Sequence, residues 1–173
     1  LGRRDVIIKK VKTRYWKRTH KFGIELPKLV KEAYAIDRRT GTDFWRMAIE
    51  KEMANNAIAF EFCDGDVIPI GFKHINCHMI FDIKSDLTRK ARFVAGGHQT
   101  DPPKESIYSS VVSRDSVRIA FMLAALNDLD VLAADVQNAY LNASTKEKVY
   151  TTAGPEFGPT NQGRPVLIVR ALY

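Results

Sequence analysis

Hydrophobic positions recur along this chain with two different periods, and the switches between them outline its elements. Over residues 43–56, "DFWRMAIEKEMANN", the apolar side chains Phe44, Trp45, Ala48, Ile49 and Met53 fall at helical spacing. This predicts a helix capped by Thr42 or Asp43 and ended by Asn55 and Asn56. Residues 71–84, "GFKHINCHMIFDIK", alternate instead. Ile75, Cys77, Met79, Phe81 and Ile83 share one face, while His74, Asn76, His78, Asp82 and Lys84 lie mainly on the other, as in a half-buried strand. Turn residues "SDLT" (85–88) follow, and "RKARFVA" (89–95) resumes the alternation with Ala91, Phe93 and Ala95 inward, so a hairpin is expected. "AGGHQTDPP" then breaks the pattern into a loop. Beyond it, Ser113 is placed to cap a helix reaching to about Leu129, with Asp115 in its first turn. Val117, Ala120, Phe121, Leu123 and Ala124 form its buried stripe, and Asn127 and Asp128 close it. Val131–Val136 reads as a strand too apolar to be exposed on both faces, ending around Asp135.

Length changes this picture little: 173 residues suit one domain, or one domain with a tail. Charge changes it more. The formal net charge is +7, yet residues 1–31 hold 11 Lys and Arg against Asp5 and Glu25, so the remaining 142 residues carry a slight negative balance. Within that leading segment Arg14, Tyr15, Trp16, Lys17 and Arg18 interleave cations with aromatics, a composition that can follow a phosphate backbone and stack on bases. A solvated linker has the same composition, and both readings stand. The longest apolar run, "IAFMLAAL" (119–126), is far shorter than the ~18 residues of a membrane span, and "LGRRDVIIKK" has no signal-peptide core. The expectation is a soluble, intracellular chain with no membrane partner. Cys63 and Cys77 are too few for a disulfide framework and read as reduced thiols. The absence of an initiating Met leads us to expect a fragment.

Three groups of residues are candidates for chemistry. Side chains two apart on a strand share a face at about 6–7 Å, so Lys90 and Arg92 project together, away from Phe93. They form either an ordinary solvated face or a clamp for an anion with several oxygens, such as a triphosphate. Asp135, at the end of an apolar run, needs compensation if buried: an Arg or Lys partner, or a divalent metal. His74, Cys77 and His78, with Cys63 or His98, lack the spacing of common zinc sites, and the strand pattern turns Cys77 away from both histidines. No Walker loop, dinucleotide fingerprint or nucleophile elbow occurs.

"ADVQNAYLNASTKEKVY" (134–150) resembles the first palm motif of copia-type long-terminal-repeat retrotransposon reverse transcriptases. Further segments resemble that family in the same order: "GIELPKLVKEAYAIDRRTGTDFW" (23–45), "FWRMAIEKEM" (44–53), "KARFVAGGHQ" (90–99) and "YSSVVSRDSVRIAFMLAA" (108–125). The resemblance implies an α+β right-hand polymerase fold, incomplete, with the fingers and part of the palm. Residues 1–40 would be a basic linker or lead-in, and 41–173 the N-terminal part of the reverse transcriptase domain.

The resemblance also implies roles. Asp135 and the Val136 backbone carbonyl would hold Mg²⁺ or Mn²⁺. Lys90 and Arg92 would grip the triphosphate of a deoxynucleotide (dNTP) substrate. Tyr140 would lie under its sugar and exclude a 2′-hydroxyl, and the small Ala139 would let the backbone come close. The implied partners are an RNA or DNA template with its primer, and the remainder of a polyprotein comprising the rest of the palm, RNase H and integrase. The location would be a cytoplasmic virus-like particle or the nucleus.

Departures from the family pattern are Ala143 for glycine, Ser110 for proline and Met79 for tryptophan. The second palm motif, an aromatic-x-Asp-Asp turn, has no counterpart, and "DGD" (64–66) lacks both the aromatic and the adjacent pair. The expectation is a piece of an RNA-directed DNA polymerase, inactive alone. The alternative is a non-catalytic nucleic-acid-binding remnant or a domesticated module.

Overall fold

The computed structural model describes residues 19–100 and 110–172. The described residues form two compact units: the larger runs to Thr100 and resumes at Tyr140, and the smaller ends at Ala139. Arg14, Tyr15, Trp16, Lys17 and Arg18 lie outside the described residues.

The larger unit begins with a short hairpin, β1 (His20–Lys21) against β2 (Ile24–Glu25), turned through Phe22 and Gly23 at φ 54° and 75°. Helix α1 (Val30–Thr40) follows, with the Glu32 carboxylate accepting from the Lys28 N–H at 2.8 Å and Gly41 in the left-handed region at its C-terminus. This helix lies within the lead-in expected over residues 1–40. Its apolar face, Val30, Ala33 and Ile36, joins the main core with Leu26.

Helix α2 spans Phe44–Asn56, ending at the expected asparagines. Its cap differs from expectation. Asp43 occupies the N-cap position, but its side chain makes no capping bond. The buried carboxylate of Asp37 in α1 takes that role, accepting from the Trp45 N–H at 3.3 Å and the Arg46 N–H at 2.8 Å. A residue seven positions before the helix start can reach because Gly41 folds the chain back on itself.

The expected hairpin forms as β5 (Cys77–Ile83) and β6 (Arg89–Ala95), antiparallel, with Phe81 opposite Ala91 and Met79 opposite Phe93. Met79, Phe81, Ile83, Ala91 and Phe93 are buried, and Trp45 meets Phe81 edge to face at 5.5 Å. The Glu52 carboxylate of α2 accepts from the Phe93 N–H at 3.0 Å, tying helix to strand. A four-stranded sheet completes this unit in the order β3 (Phe60–Phe62), β8 (Pro165–Arg170), β7 (Ser144–Thr152), β4 (Lys73–His74). Only β4 and β7 pair in parallel. Phe60, Phe93 and Phe157 form a three-ring contact at 5.0–5.6 Å that joins sheet and hairpin.

In the smaller unit, α3 (Arg114–Leu126) is capped as expected, the Ser113 hydroxyl accepting from the Ser116 N–H at 3.0 Å. Two expectations fail here. Of the stripe assigned to the core, only Ala124 is buried, while Phe121 and Leu123 are about half exposed. Val131–Val136 is not a strand, and Leu132 is 93% exposed. A strand exists only through a partner's hydrogen bonds, and among the described residues none pairs with this segment.

Candidate functional site

Burial of Ala91 and Phe93 fixes which way β6 faces, because successive side chains on a strand point to opposite sides. Lys90 and Arg92 are thereby set on the outer face, opposite Asp82 and Ile80 of β5 respectively. Together with Leu26, Phe81 and Lys84 they line a groove of about 380 Å³. Three of its seven lining side chains are cationic and one, Asp82, is anionic. Such a groove attracts a polyanion and offers both a planar guanidinium fork and flexible ammonium groups for its oxygens.

The turn that supports the groove is well held. Lys84 and Thr88 are joined by a backbone hydrogen bond of 2.9 Å, and the Asp86 carboxylate accepts from the Thr88 N–H at 3.0 Å. The Thr88 N–H and hydroxyl hold the Asp86 carboxyl below its usual range. Leu87 takes φ 66° at the tip, a conformation rare for a branched residue.

Asp135 and Val136 lie in the smaller unit, on the irregular exposed segment after α3. Ala139 opens a 3₁₀ turn, Ala139–Asn142, on which Tyr140 is 56% exposed. The structure thus brings together Lys90 and Arg92. Tyr140 is not among the residues lining their groove. Asp82 and Lys84 belong to the groove although sequence reasoning assigned them no role. Their signal was present, since alternation from Phe81 and Ile83 already placed both on the outer face.

Among the described residues no three His, Cys, Asp or Glu side chains come together to hold a metal. His74 instead meets the Tyr150 ring at 5.1 Å and the Thr152 hydroxyl at 3.3 Å. Burial pushes the Cys77 thiol up, against the hydrogen bond it shares with the Thr151 side chain. A thiol raised in this way is less reactive than a free one.

Residues 63–173, well over half of the chain, match the family described as reverse transcriptase (RNA-dependent DNA polymerase). The chain belongs to this reverse transcriptase family. Among its relatives are the Gag-Pol polyproteins of transposons Ty1-BL and Ty1-DR4 of Saccharomyces cerevisiae, each 35% identical over 101 residues. These alignments cover 57% of this chain and only 6% of either polyprotein. The similarity is therefore to a copia-type reverse transcriptase segment. No solved structure matches the chain. The matched stretch takes in the β5–β6 hairpin, α3 and residues 135–140. No helix among the described residues is long and apolar enough to cross a membrane.

Proposed function

We propose that this chain is the fingers and the opening of the palm of a right-hand RNA-directed DNA polymerase, whose β5–β6 hairpin holds the triphosphate of an incoming deoxynucleotide. The observation that carries the reading is the groove built on Lys90 and Arg92, on a hairpin whose other face is locked into the core. Arg92 offers two parallel N–H donors to non-bridging phosphate oxygens, and Lys90 places a mobile charge beside them. The Tyr140 ring excludes a 2′-hydroxyl by bulk, and Ala139 leaves room for the backbone.

Asp135 and the Val136 carbonyl are the metal ligands in this proposal. A carboxylate and a carbonyl are the hard oxygen donors that Mg²⁺ or Mn²⁺ takes, usually one or two from protein with the rest from water and phosphate. When bound, the ions supply charge that stabilises the attacking 3′ oxygen and the departing pyrophosphate. The 173 residues contain no Asp-Asp pair, and we propose that this chain alone does not extend a primer. Its partners are a primed RNA or DNA template and the other parts of a polyprotein, inside the cell.

Titrating the chain with deoxythymidine triphosphate tests the clamp. Replacing both Lys90→Ala and Arg92→Ala is expected to weaken binding about tenfold or more, since hydrogen bonds to charged groups contribute about 1.5–3 kcal/mol each. Unchanged affinity would remove the clamp from the proposal. In a full-length polymerase carrying this segment, Asp135→Asn is expected to abolish primer extension while duplex binding stays within about twofold. Retained extension would refute the metal assignment.

A further inference from the structure

A carboxylate lies in a groove otherwise built for anions. Asp82 faces Lys90 directly across the hairpin, where opposed side chains are about 4.5–5.5 Å apart at Cβ. Left to itself, Asp82 would attract Lys90 and repel an incoming phosphate. The structure supplies a competitor from another element. The Lys21 ammonium, reaching over from β1, donates to Asp82 Oδ1 at 2.6 Å. Lys21 is not part of the groove wall. Its side chain is only 18% exposed, against 53% for Asp82, and of the two only Asp82 lines the groove. Its ammonium also lies 5.5 Å from the centre of the Phe22 ring, a cation–π contact on the β1–β2 turn.

We propose that Lys21 is a positioning residue for triphosphate binding: it holds and neutralises Asp82, so that Lys90 and Arg92 meet the phosphates without a competing anion between them. This rests on the clamp proposed above. It also gives the β1–β2 hairpin a function at the groove. The element lies before the family match, which begins at residue 63, yet it sets the charge of a site inside the matched region.

The test is a double-mutant cycle on the 173-residue chain, read as affinity for deoxythymidine triphosphate without divalent metal at low salt. Lys21→Met is expected to weaken binding about two- to fivefold, the range corresponding to a partly exposed ion pair. Asp82→Asn is expected to tighten it by a similar factor. In the Asp82→Asn background, Lys21→Met is expected to change nothing further, and Lys21→Arg in the parent chain to preserve affinity. Thermal unfolding of each variant separates this role from simple support, which would shift the melting midpoint and leave the affinity of the folded chain alone. Equal weakening by Lys21→Met in both backgrounds, or none while the Lys90→Ala and Arg92→Ala variant loses binding, overturns the inference and spares the clamp. If the Lys90 and Arg92 substitutions themselves change nothing, both fall.

Discussion

Glu156 shows how single side chains in this molecule are set by their surroundings rather than their type. It sits in the 3₁₀ turn Pro155–Phe157, beside a ring cluster of Phe60, Phe93 and Phe157. Burial raises its carboxyl above the ordinary glutamate range, against the lowering effect of the backbone N–H groups of Glu156 and Gly154. A Cβ on Gly154 would stand 2.5 Å from both carboxylate oxygens, so a side chain there would displace the Glu156 carboxylate. The raised pKa means that the folded chain holds this proton more tightly than the unfolded one. The resulting stability is fully present below the unfolded value and is lost as pH rises through the folded value. Glu156→Gln is therefore expected to raise the melting midpoint at neutral pH and to flatten its fall between mildly acidic and neutral solution. An unaltered pH slope in the variant would show that the carboxyl is solvated after all.

At the scale of elements, the α1–α2 corner depends on one buried carboxylate. Asp37 lies on α1, yet its oxygens accept from the first N–H groups of α2 and stand 3.4 Å from the Thr42 hydroxyl. Asp37→Ala is expected to cost about 1–2 kcal/mol, the range of lost N-caps, seen as a lower urea midpoint with unchanged slope. Asp43→Ala, at the nominal cap position, is expected to cost much less, because its carboxylate pairs with the exposed Arg46 at 2.9 Å and makes no capping bond. The hairpin was legible because its alternation is strict and its turn residues intervene; the helix over Phe44–Asn56 was legible from its period. Helix α1 was not singled out, although Val30, Ala33, Tyr34 and Asp37 have helical spacing and Gly41 marks the end. Strand β3 pairs with β8, Phe60 opposite Ile168 and Phe62 opposite Val166 from the far end of the chain, a pairing that no local period reveals.

For the whole molecule the uneven charge matters most. The cationic excess of residues 1–31 suits a solvated linker and a nucleic-acid contact equally, and salt dependence separates the two. Measured on a primer–template duplex, log affinity is expected to fall steeply with log salt, by about 0.9 per phosphate neutralised. A chain beginning at residue 19 is expected to show a shallower slope. An identical slope would exclude Arg14, Lys17, Arg18 and their neighbours as duplex contacts. The unit carrying α3 leaves Val117, Phe121, Met122, Leu123 and Leu126 exposed together, which is why its apolar stripe, correctly periodic, predicted burial that does not occur.

The order of residues determined what depends on neighbours along the chain. It set the helical face of Trp45 and Ile49, the inward side of the hairpin, the cap at Ser113 and the family motifs around Asp135 and Tyr140. These follow from backbone periodicity and short-range hydrogen bonding. Tertiary structure alone decided what depends on distant segments meeting. Asp37 became the cap of another helix, Lys21 came onto Asp82 from 61 residues away, and 131–136 remained irregular with no partner strand among the described residues. Pairing and compensation of charge are properties of places in space, and a pattern along the chain specifies a side of an element without specifying what will face it.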